Sequence, residues 1–141
     1  MVLRPTAAPF TWDDVLEMPD DGYRRELVHG QLLVTPSPVG LHQRAVAELH
    51  FVLRSARPPD LDVLTAPYDW KRSEGTVLQP DLLVFRRVDF QPHGWLSATP
   101  LLVVEIASTS TAVTDRTLKR AVYEEAGVPS YWLVDPVEPS L

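Results

Sequence analysis

Cysteine is absent from this 141-residue chain, which excludes a disulfide framework, a cysteine-ligated zinc site and a thiol nucleophile. A chain without disulfides is typical of the reducing cytoplasm, where we expect this protein to reside. Long apolar runs are missing too. The most apolar stretch, "PLLVVEIA", contains Glu105 and is far shorter than the roughly 20 residues that span a bilayer. The sequence therefore predicts no association with a membrane.

Positive charge is also scarce, with 13 Lys and Arg against 19 Asp and Glu and a formal net charge of -6. This balance argues against a protein that coats nucleic acid by electrostatics alone, although it leaves room for a local basic patch. The length suits one domain with a real hydrophobic core. The 45% hydrophobic and 23% charged residues are those of an ordinary soluble globular protein.

Proline is plentiful, and the 14 prolines mostly separate segments of regular periodicity. The segment "FTWDDVLEMP" predicts a short helix that Thr11 caps and Asp14 completes as a capping box. The segment "YRRELVHGQLLVTP" predicts two strands joined by a turn at His29-Gly30. The longest helix is predicted over "SPVGLHQRAVAELHFVLRSA", with Ser37 as its cap and Pro38 at its first position. Its predicted apolar face comprises Leu41, Ala45, Leu49, Val52 and Leu53.

Three strands are predicted next: "DVLTAPYDW", then "TVLQP" leading into "DLLVF", then "LLVVEIAS". A second helix runs from about residue 114 to 126 with Leu118, Ala121 and Val122 on its apolar face, and "SYWLVDP" is the last strand. A helix between two strands indicates a βαβ crossover, so the last two strands should be parallel. The order predicts an α/β fold in which helices flank a mixed central β-sheet of about five to seven strands.

Two of the apolar strands carry one acid each: Asp81 precedes "LLVF" and Glu105 follows "LLVV". If these strands are neighbours, the two carboxylates meet at one place, where they repel unless a proton or a cation compensates them. A hard divalent ion such as Mg²⁺ or Mn²⁺ would do so, since it prefers oxygen ligands. The alternatives are a turn aspartate and a glutamate that pairs with a structural arginine.

Five segments resemble, in order and spacing, the Uma2 family, a bacterial family formerly classed as a domain of unknown function and placed in the PD-(D/E)XK nuclease superfamily. The segments are "ELVHGQL", "TPSPVGLHQR", "VLQPDLLVF", "PLLVVEIASTST" and "DRTLKRAVYEEAGVPSYWLVDP". The resemblance implies a restriction-endonuclease-like core and a single nuclease-like domain over residues 1–141. Family members usually continue past "WLVDP", so the resemblance also implies that the family's C-terminal strands are lacking.

The resemblance implies roles for individual residues. Asp81 and Glu105 match the acids that bind the metal. Superfamily members carry a lysine two residues beyond the second acid, but Ala107 stands there, and Lys119 in the following helix matches the residue that replaces it. The alternative for Lys119 is a surface pair with Asp115.

Two further residues match the family: Glu26 matches a recurrent family acid that could reach the metal through water, and His42 matches a family histidine. Gln79, just before the Pro-Asp pair, could line the pocket. The alternatives are a surface acid beside Arg24 and Arg25 for Glu26, and a structural helix residue for His42.

The predicted function is Mg²⁺- or Mn²⁺-dependent hydrolysis of phosphodiester bonds in DNA by an endonuclease. One alternative is a catalytically inactive, nuclease-like interaction or regulatory module, which the acidic charge favours. Another is hydrolysis of a small phosphorylated molecule. Four basic pairs could form a phosphate-facing stripe if they share a face: Arg24-Arg25, Lys71-Arg72, Arg86-Arg87 and Lys119-Arg120. We also expect a homodimer or a higher homo-oligomer, as is common in the superfamily.

Overall fold

A computed structural model describes residues 2–3, 9–108 and 113–136, and the side chains of residues 9–108 and 116–136. Its helices are α1 (Trp12–Leu16), α2 (Gly40–Ala56) and α3 (Val113–Ala126), with one short 3-10 turn at Arg87–Asp89. Its strands are β1 (Val2–Leu3), β2 (Arg24–Val28), β3 (Gln31–Thr35), β4 (Leu61–Thr65), β5 (Trp70–Ser73), β6 (Thr76–Leu78), β7 (Leu82–Arg86), β8 (Leu102–Ile106) and β9 (Ser130–Val134).

The strands form two sheets. An antiparallel sheet has the order β1-β3-β2-β6-β5, and a mixed sheet has the order β4-β7-β8-β9. The predicted mixed sheet is present, but it has four strands rather than five to seven, and the fold contains a second, antiparallel sheet. The prediction of three strands between the long helices is wrong, because the structure describes five there. The chain changes sheet between Thr65 and Trp70 and changes back between Leu78 and Leu82. The predicted strand "DVLTAPYDW" is thus divided between β4 and β5, and the predicted strand "TVLQP" with "DLLVF" is divided between β6 and β7.

The hairpin and the crossover agree with the sequence. His29 and Gly30 both have positive φ, 49° and 79°, which is the two-residue turn that matches the twist of the flanking strands. Thr11 and Asp14 form the predicted capping box of α1. Strands β8 and β9 pair in parallel across α3, with Glu105 opposite Leu133. The predicted parallel pair is confirmed.

Helix α2 begins later than predicted, at Gly40, and its cap Val39 makes no side-chain hydrogen bond. Ser37 does not cap the helix, because its hydroxyl donates instead to the Gly22 carbonyl and ties two loops together. The predicted apolar face is partly wrong, since the side chains of Leu41 and Val52 are exposed. The stripe that packs against the mixed sheet comprises Ala45, Val46, Leu49 and Leu53.

The mixed sheet is buried on both faces. Leu82, Val84, Val104 and Ile106 point toward α2, whereas Leu83, Phe85 and Val103 pack in one cluster with α3 and the antiparallel sheet. This alternation follows from the two-residue period of a strand. In α3, Leu118 and Val122 face the core as predicted, but Ala121 is exposed and Tyr123 is buried in its place. Each fully buried large apolar side chain contributes about 1.5–3 kcal/mol.

Within the described ranges, no helix combines the length and the apolar character needed to cross a bilayer.

Candidate active site

The two acids singled out in the sequence meet at one end of the mixed sheet. Asp81 immediately precedes β7 and Glu105 lies in β8, and the pairing of Leu82 with Val104 makes them the next residues in register. The Asp81 N–H donates to Glu105 Oε1 at 3.3 Å, and the Ile106 N–H donates to Asp81 Oδ2 at 2.7 Å. Both side chains are buried. The expected placement on adjacent strands is confirmed, and strand pairing alone fixes the two carboxylates next to each other.

Lys119 reaches these acids from α3. Its Nζ lies 2.7 Å from Glu26 Oε1 and 2.9 Å from Glu105 Oε2, and the lysine is buried. Glu26 belongs to the antiparallel sheet and Glu105 to the mixed sheet, so one ammonium joins the two sheets. The side chain of Asp115, the alternative partner, lies outside the described residues. We call Glu26, Glu105 and Lys119 the Lys119 cluster.

Glu26 is fully buried, which rules out the alternative that it is a surface acid. Its Oε2 accepts a hydrogen bond from the Gln79 N–H at 2.7 Å, and the Gln79 side-chain amide donates to Asp69 Oδ1 at 3.1 Å. Asp69 is therefore a fourth acid of the site that the sequence analysis missed. No sequence signal points to it, because "YDW" reads as part of an ordinary strand.

Asp81 is held from its other side by Arg24 and His42. Arg24 Nη1 lies 3.0 Å from Asp81 Oδ1 and 3.3 Å from the Gln79 carbonyl, and His42 Nε2 lies 3.1 Å from Asp81 Oδ2. Arg24 was also missed as a site residue. Its position two residues from Glu26 was the available signal, because residues i and i+2 of a strand share a face. We call Arg24, His42 and Asp81 the Asp81 cluster.

Charges of opposite sign shape the pKa values of the site. Burial would raise the pKa of Asp81, but the hydrogen bond from His42 and the charge of Arg24 lower it below its ordinary value. Burial raises the pKa of Glu105 to about 7, and the attraction of Lys119 offsets only part of that rise. Burial also raises the pKa of Asp69. For Lys119, the effect of burial is outweighed by Glu105 and Glu26, which raise its pKa.

The charge and donor chemistry of the site fit a hard divalent cation. The four acids Glu26, Asp69, Asp81 and Glu105 face only two permanent cations, so two formal negative charges are uncompensated, and all four acids offer oxygen ligands. In the described part of the chain, no three acidic or histidine side chains are grouped so that they could hold a metal ion as they stand. Lys119, Arg24 and backbone N–H groups occupy the carboxylate oxygens.

A cavity of about 550 Å³ opens beside Asp81. Its lining includes all three residues of the Asp81 cluster together with Tyr23, Arg25 and Gln79, and it includes none of the Lys119 cluster. The second ring nitrogen of His42, Nδ1, is buried and has no hydrogen-bond partner among the described residues. An unsatisfied buried polar atom beside a cavity is a feature of a ligand site.

The predicted basic stripe is largely neutralised. In three of the four basic pairs, each member lies within 4 Å of a carboxylate. The contacts are Arg24–Asp81, Arg25–Asp21, Lys71–Glu74, Arg72–Glu125, Lys119–Glu26 and Arg120–Glu124. These pairs therefore do not form a free cationic track.

Known proteins resemble this chain at two levels. The profile of the Uma2 family, described as "Putative restriction endonuclease", matches residues 12–141. A solved structure from Anabaena variabilis, described as a "putative nuclease belonging to DUF820", shares 24% sequence identity and superposes with a TM-score of 0.75, covering 92% of this chain and 76% of that chain. At this identity the likeness shows the fold, so the predicted α/β nuclease-like fold class is confirmed. None of the curated proteins matches this chain.

Proposed function

This chain belongs to the Uma2 family, and from that membership and its buried acid site we propose that it is a metal-dependent endonuclease that hydrolyses phosphodiester bonds of DNA. The observation that supports the proposal most strongly is the convergence of Glu26, Asp81, Glu105 and Lys119 from both sheets and α3. Burying so many charged groups costs stability, so their presence in one place supports a functional role. The pKa values of Asp81, Glu105 and Lys119 are all shifted, and shifted pKa values within one group of side chains favour a catalytic site.

The metal ligands in this proposal are Asp81 and Glu105, with Glu26 acting through a water molecule. The ion is Mg²⁺ or Mn²⁺, the oxygen-preferring cations that suit carboxylate ligands. Bound there, it supplies Lewis-acid polarisation of a phosphoryl oxygen and a more acidic water.

The chain's own residues supply the remaining chemistry. Lys119 carries a permanent positive charge because its pKa is raised. It orients the attacking water and stabilises the negative charge that develops on the pentacoordinate phosphorus. Arg24 and His42 keep Asp81 ionised and oriented. The water oxygen bonds to phosphorus as the water gives up a proton to solvent. The bond from phosphorus to the 3′ oxygen breaks, that oxygen takes a proton from solvent, and the product carries a 5′-phosphate, as the family resemblance implies.

Plasmid nicking in Mg²⁺ or Mn²⁺ tests this function. We expect weak cleavage by the wild type and loss of most of the rate in Asp81→Asn and Glu105→Gln, which keep the shape of the side chains and remove a charged ligand. The matched controls are Asp13→Asn and Glu124→Gln, whose acids are exposed and lie outside the site. A melting curve for each variant separates lost ligation from lost folding. Cleavage that survives in Asp81→Asn would reveal a contaminating nuclease.

Calorimetric titration with Mn²⁺ tests the metal site without a substrate. We expect binding by the wild type, loss of binding in Asp81→Ala, and retained binding in Lys119→Ala together with loss of cleavage. If Lys119→Ala cleaves as fast as the wild type, the proposed catalytic role of Lys119 is wrong.

The second candidate function is a nuclease-like interaction or regulatory module without catalysis. The observation that favours it is that Lys119 and Arg24 already neutralise carboxylates that the metal needs. Absence of Mn²⁺ binding by the wild type would decide for this module. In both cases we propose a cytoplasmic homodimer or higher homo-oligomer, with its mass in solution as the test.

A further inference from the structure

The cavity beside Asp81 has the size of a site for one small ligand. Its volume of about 550 Å³ falls within the range of roughly 300–1,000 Å³ that is usual for small-molecule pockets. The walls of the cavity are formed by residues before β2, by the start of α2 and by the segment around Pro67. The cavity adjoins the acid site at Arg24, His42 and Asp81. A ligand in this cavity therefore contacts Asp81, one of the two proposed metal ligands.

Arg24 offers the cavity a partly free guanidinium group. Its Nη1 is engaged by Asp81 and by the Gln79 carbonyl, but neither Nε nor Nη2 has an acceptor within the described residues, and neither atom is buried without a partner. A guanidinium has five N–H donors in a planar fork that suits two oxygens of a phosphate. Arg24 can thus hold Asp81 and bind a phosphate group at the same time.

Tyr23 supplies an aromatic surface in the same cavity as this guanidinium. Its side chain lines the cavity, is 52% exposed, and makes no ring contact with another aromatic residue in the described part of the chain. Exposed aromatic rings beside a cationic group are the usual stacking platforms for unpaired bases.

Duplex DNA fits this surface poorly. Its non-specific binding depends on Lys and Arg that neutralise several backbone phosphates. Here the basic pairs are largely engaged with acids, among them Arg25 with Asp21 at 2.8 Å and Lys71 with Glu74 at 2.6 Å. One guanidinium and one aromatic ring can hold a single nucleotide but cannot follow a double helix.

We propose that the cavity binds one unpaired nucleotide of single-stranded DNA, with Arg24 on a phosphate and Tyr23 stacked on the base. This assignment rests on the proposed nuclease function, because it names the form of DNA that the same site receives. The phosphate held by Arg24 lies next to Asp81, where hydrolysis is proposed to occur.

Fluorescence anisotropy in EDTA tests the proposal, since a metal-dependent reaction cannot run there. The probes are a labelled single strand of about ten thymidines and a hairpin duplex of similar length. We expect the single strand to bind at least about tenfold more tightly than the duplex. Tyr23→Ala should weaken single-strand binding about tenfold, whereas Tyr23→Phe should retain it. The matched control is Phe51→Ala, which removes an exposed aromatic ring on α2 that does not line the cavity.

A second variant, Arg24→Lys, keeps the positive charge beside Asp81 and removes the planar guanidinium group with its paired N–H donors. We expect weaker binding of the single strand with a melting temperature close to that of the wild type. The proposal is overturned by equal affinity for both probes or by equal effects of Tyr23→Ala and Phe51→Ala. Single-strand binding without cleavage in Mg²⁺ would contradict the nuclease function alone, and cleavage without strand preference would contradict the cavity assignment alone.

Discussion

The Lys119 cluster and the Asp81 cluster lie side by side, yet they differ in charge and in access. In the Lys119 cluster, two carboxylates share one ammonium and no residue reaches the cavity. In the Asp81 cluster, one carboxylate faces one guanidinium and a histidine, and all three residues line the cavity. The Lys119 cluster thus buries excess negative charge away from the cavity. The Asp81 cluster is balanced in charge and lines the cavity.

The two acids at the centre of these clusters consequently have opposite pKa shifts. The pKa of Asp81 is lowered, while that of Glu105 is raised to about 7. Neighbouring groups whose pKa values are pushed apart are typical of sites in which the groups have different roles. Asp81 is therefore suited to attract a cation at any physiological pH, and Glu105 to release a proton when a cation arrives.

The largest expected effect comes from removing the ammonium of the Lys119 cluster. Lys119→Met leaves two buried carboxylates without their cation, and breaking a buried ion pair in this way costs about 3–5 kcal/mol. We expect that loss in the free energy of unfolding from urea denaturation without metal. Arg120→Met is the control on the same helix, because its exposed pair with Glu124 should contribute less than about 1 kcal/mol. Equal losses in the two variants would show that Lys119 does not stabilise the two buried carboxylates.

The next largest effect is a dependence of the free energy of unfolding on pH, caused by Glu105. The folded state keeps the Glu105 proton up to about pH 7, whereas the unfolded chain releases it near the ordinary value of 4.5. The penalty of burying the carboxylate is therefore absent below pH 4.5, grows as the pH rises, and is complete above pH 7. We expect the stability of the metal-free wild type to fall by on the order of 3 kcal/mol across this window relative to Glu105→Gln.

Urea denaturation of both proteins at several pH values from 4.5 to 7.5 measures this difference. Two parallel curves would contradict the raised pKa of Glu105.

A smaller effect is expected in the balanced cluster. Arg24→Gln removes the cation beside Asp81, but the His42 ring and the Ile106 N–H still donate to that carboxylate. The expected cost is about 1.5–3 kcal/mol, the contribution of a hydrogen bond to a charged group. Arg25→Gln in the same strand is the control, since its partner Asp21 is exposed and the change should stay within about 1 kcal/mol. A cost as large as that of Lys119→Met would remove the distinction between the clusters.

The smallest effect concerns His42. Its substitution by Gln removes one hydrogen bond to Asp81 and should lower the free energy of unfolding by about 1 kcal/mol. His50→Gln on the same helix makes a matched comparison, because His50 has only a long contact of 3.4 Å with the Val63 carbonyl. Chemical denaturation of both variants at pH 7.5 gives the answer, and a larger loss in His50→Gln would count against a role for His42.

Local signals predicted much of this fold. The hairpin turn at His29-Gly30, the capping box of α1 and the crossover through α3 all depend on residues close in sequence. Asp81 and Glu105 were found because acids at the ends of apolar strands are conspicuous.

What the sequence did not predict depends on contacts between distant residues. The split into two sheets is set by the pairing of β2 with β6, through Leu27 and Val77. Nothing in either strand specifies that partner. Because Glu26 and Arg24 lie in β2, their burial in the site depends on the same pairing. Asp69 joins the site by accepting a hydrogen bond from the Gln79 side chain. No periodic pattern in the sequence predicts that contact.

The position of Lys119 along the chain has a consequence for how the protein is made. Domains emerge from the ribosome N-terminus first, so all four acids of the site are synthesised before the lysine that neutralises two of them. Until α3 docks, Glu26 and Glu105 lack the ammonium that neutralises them, so we expect water to solvate them. Docking of α3 expels that water and joins the sheets. We therefore expect the proposed site to be completed only when α3 docks.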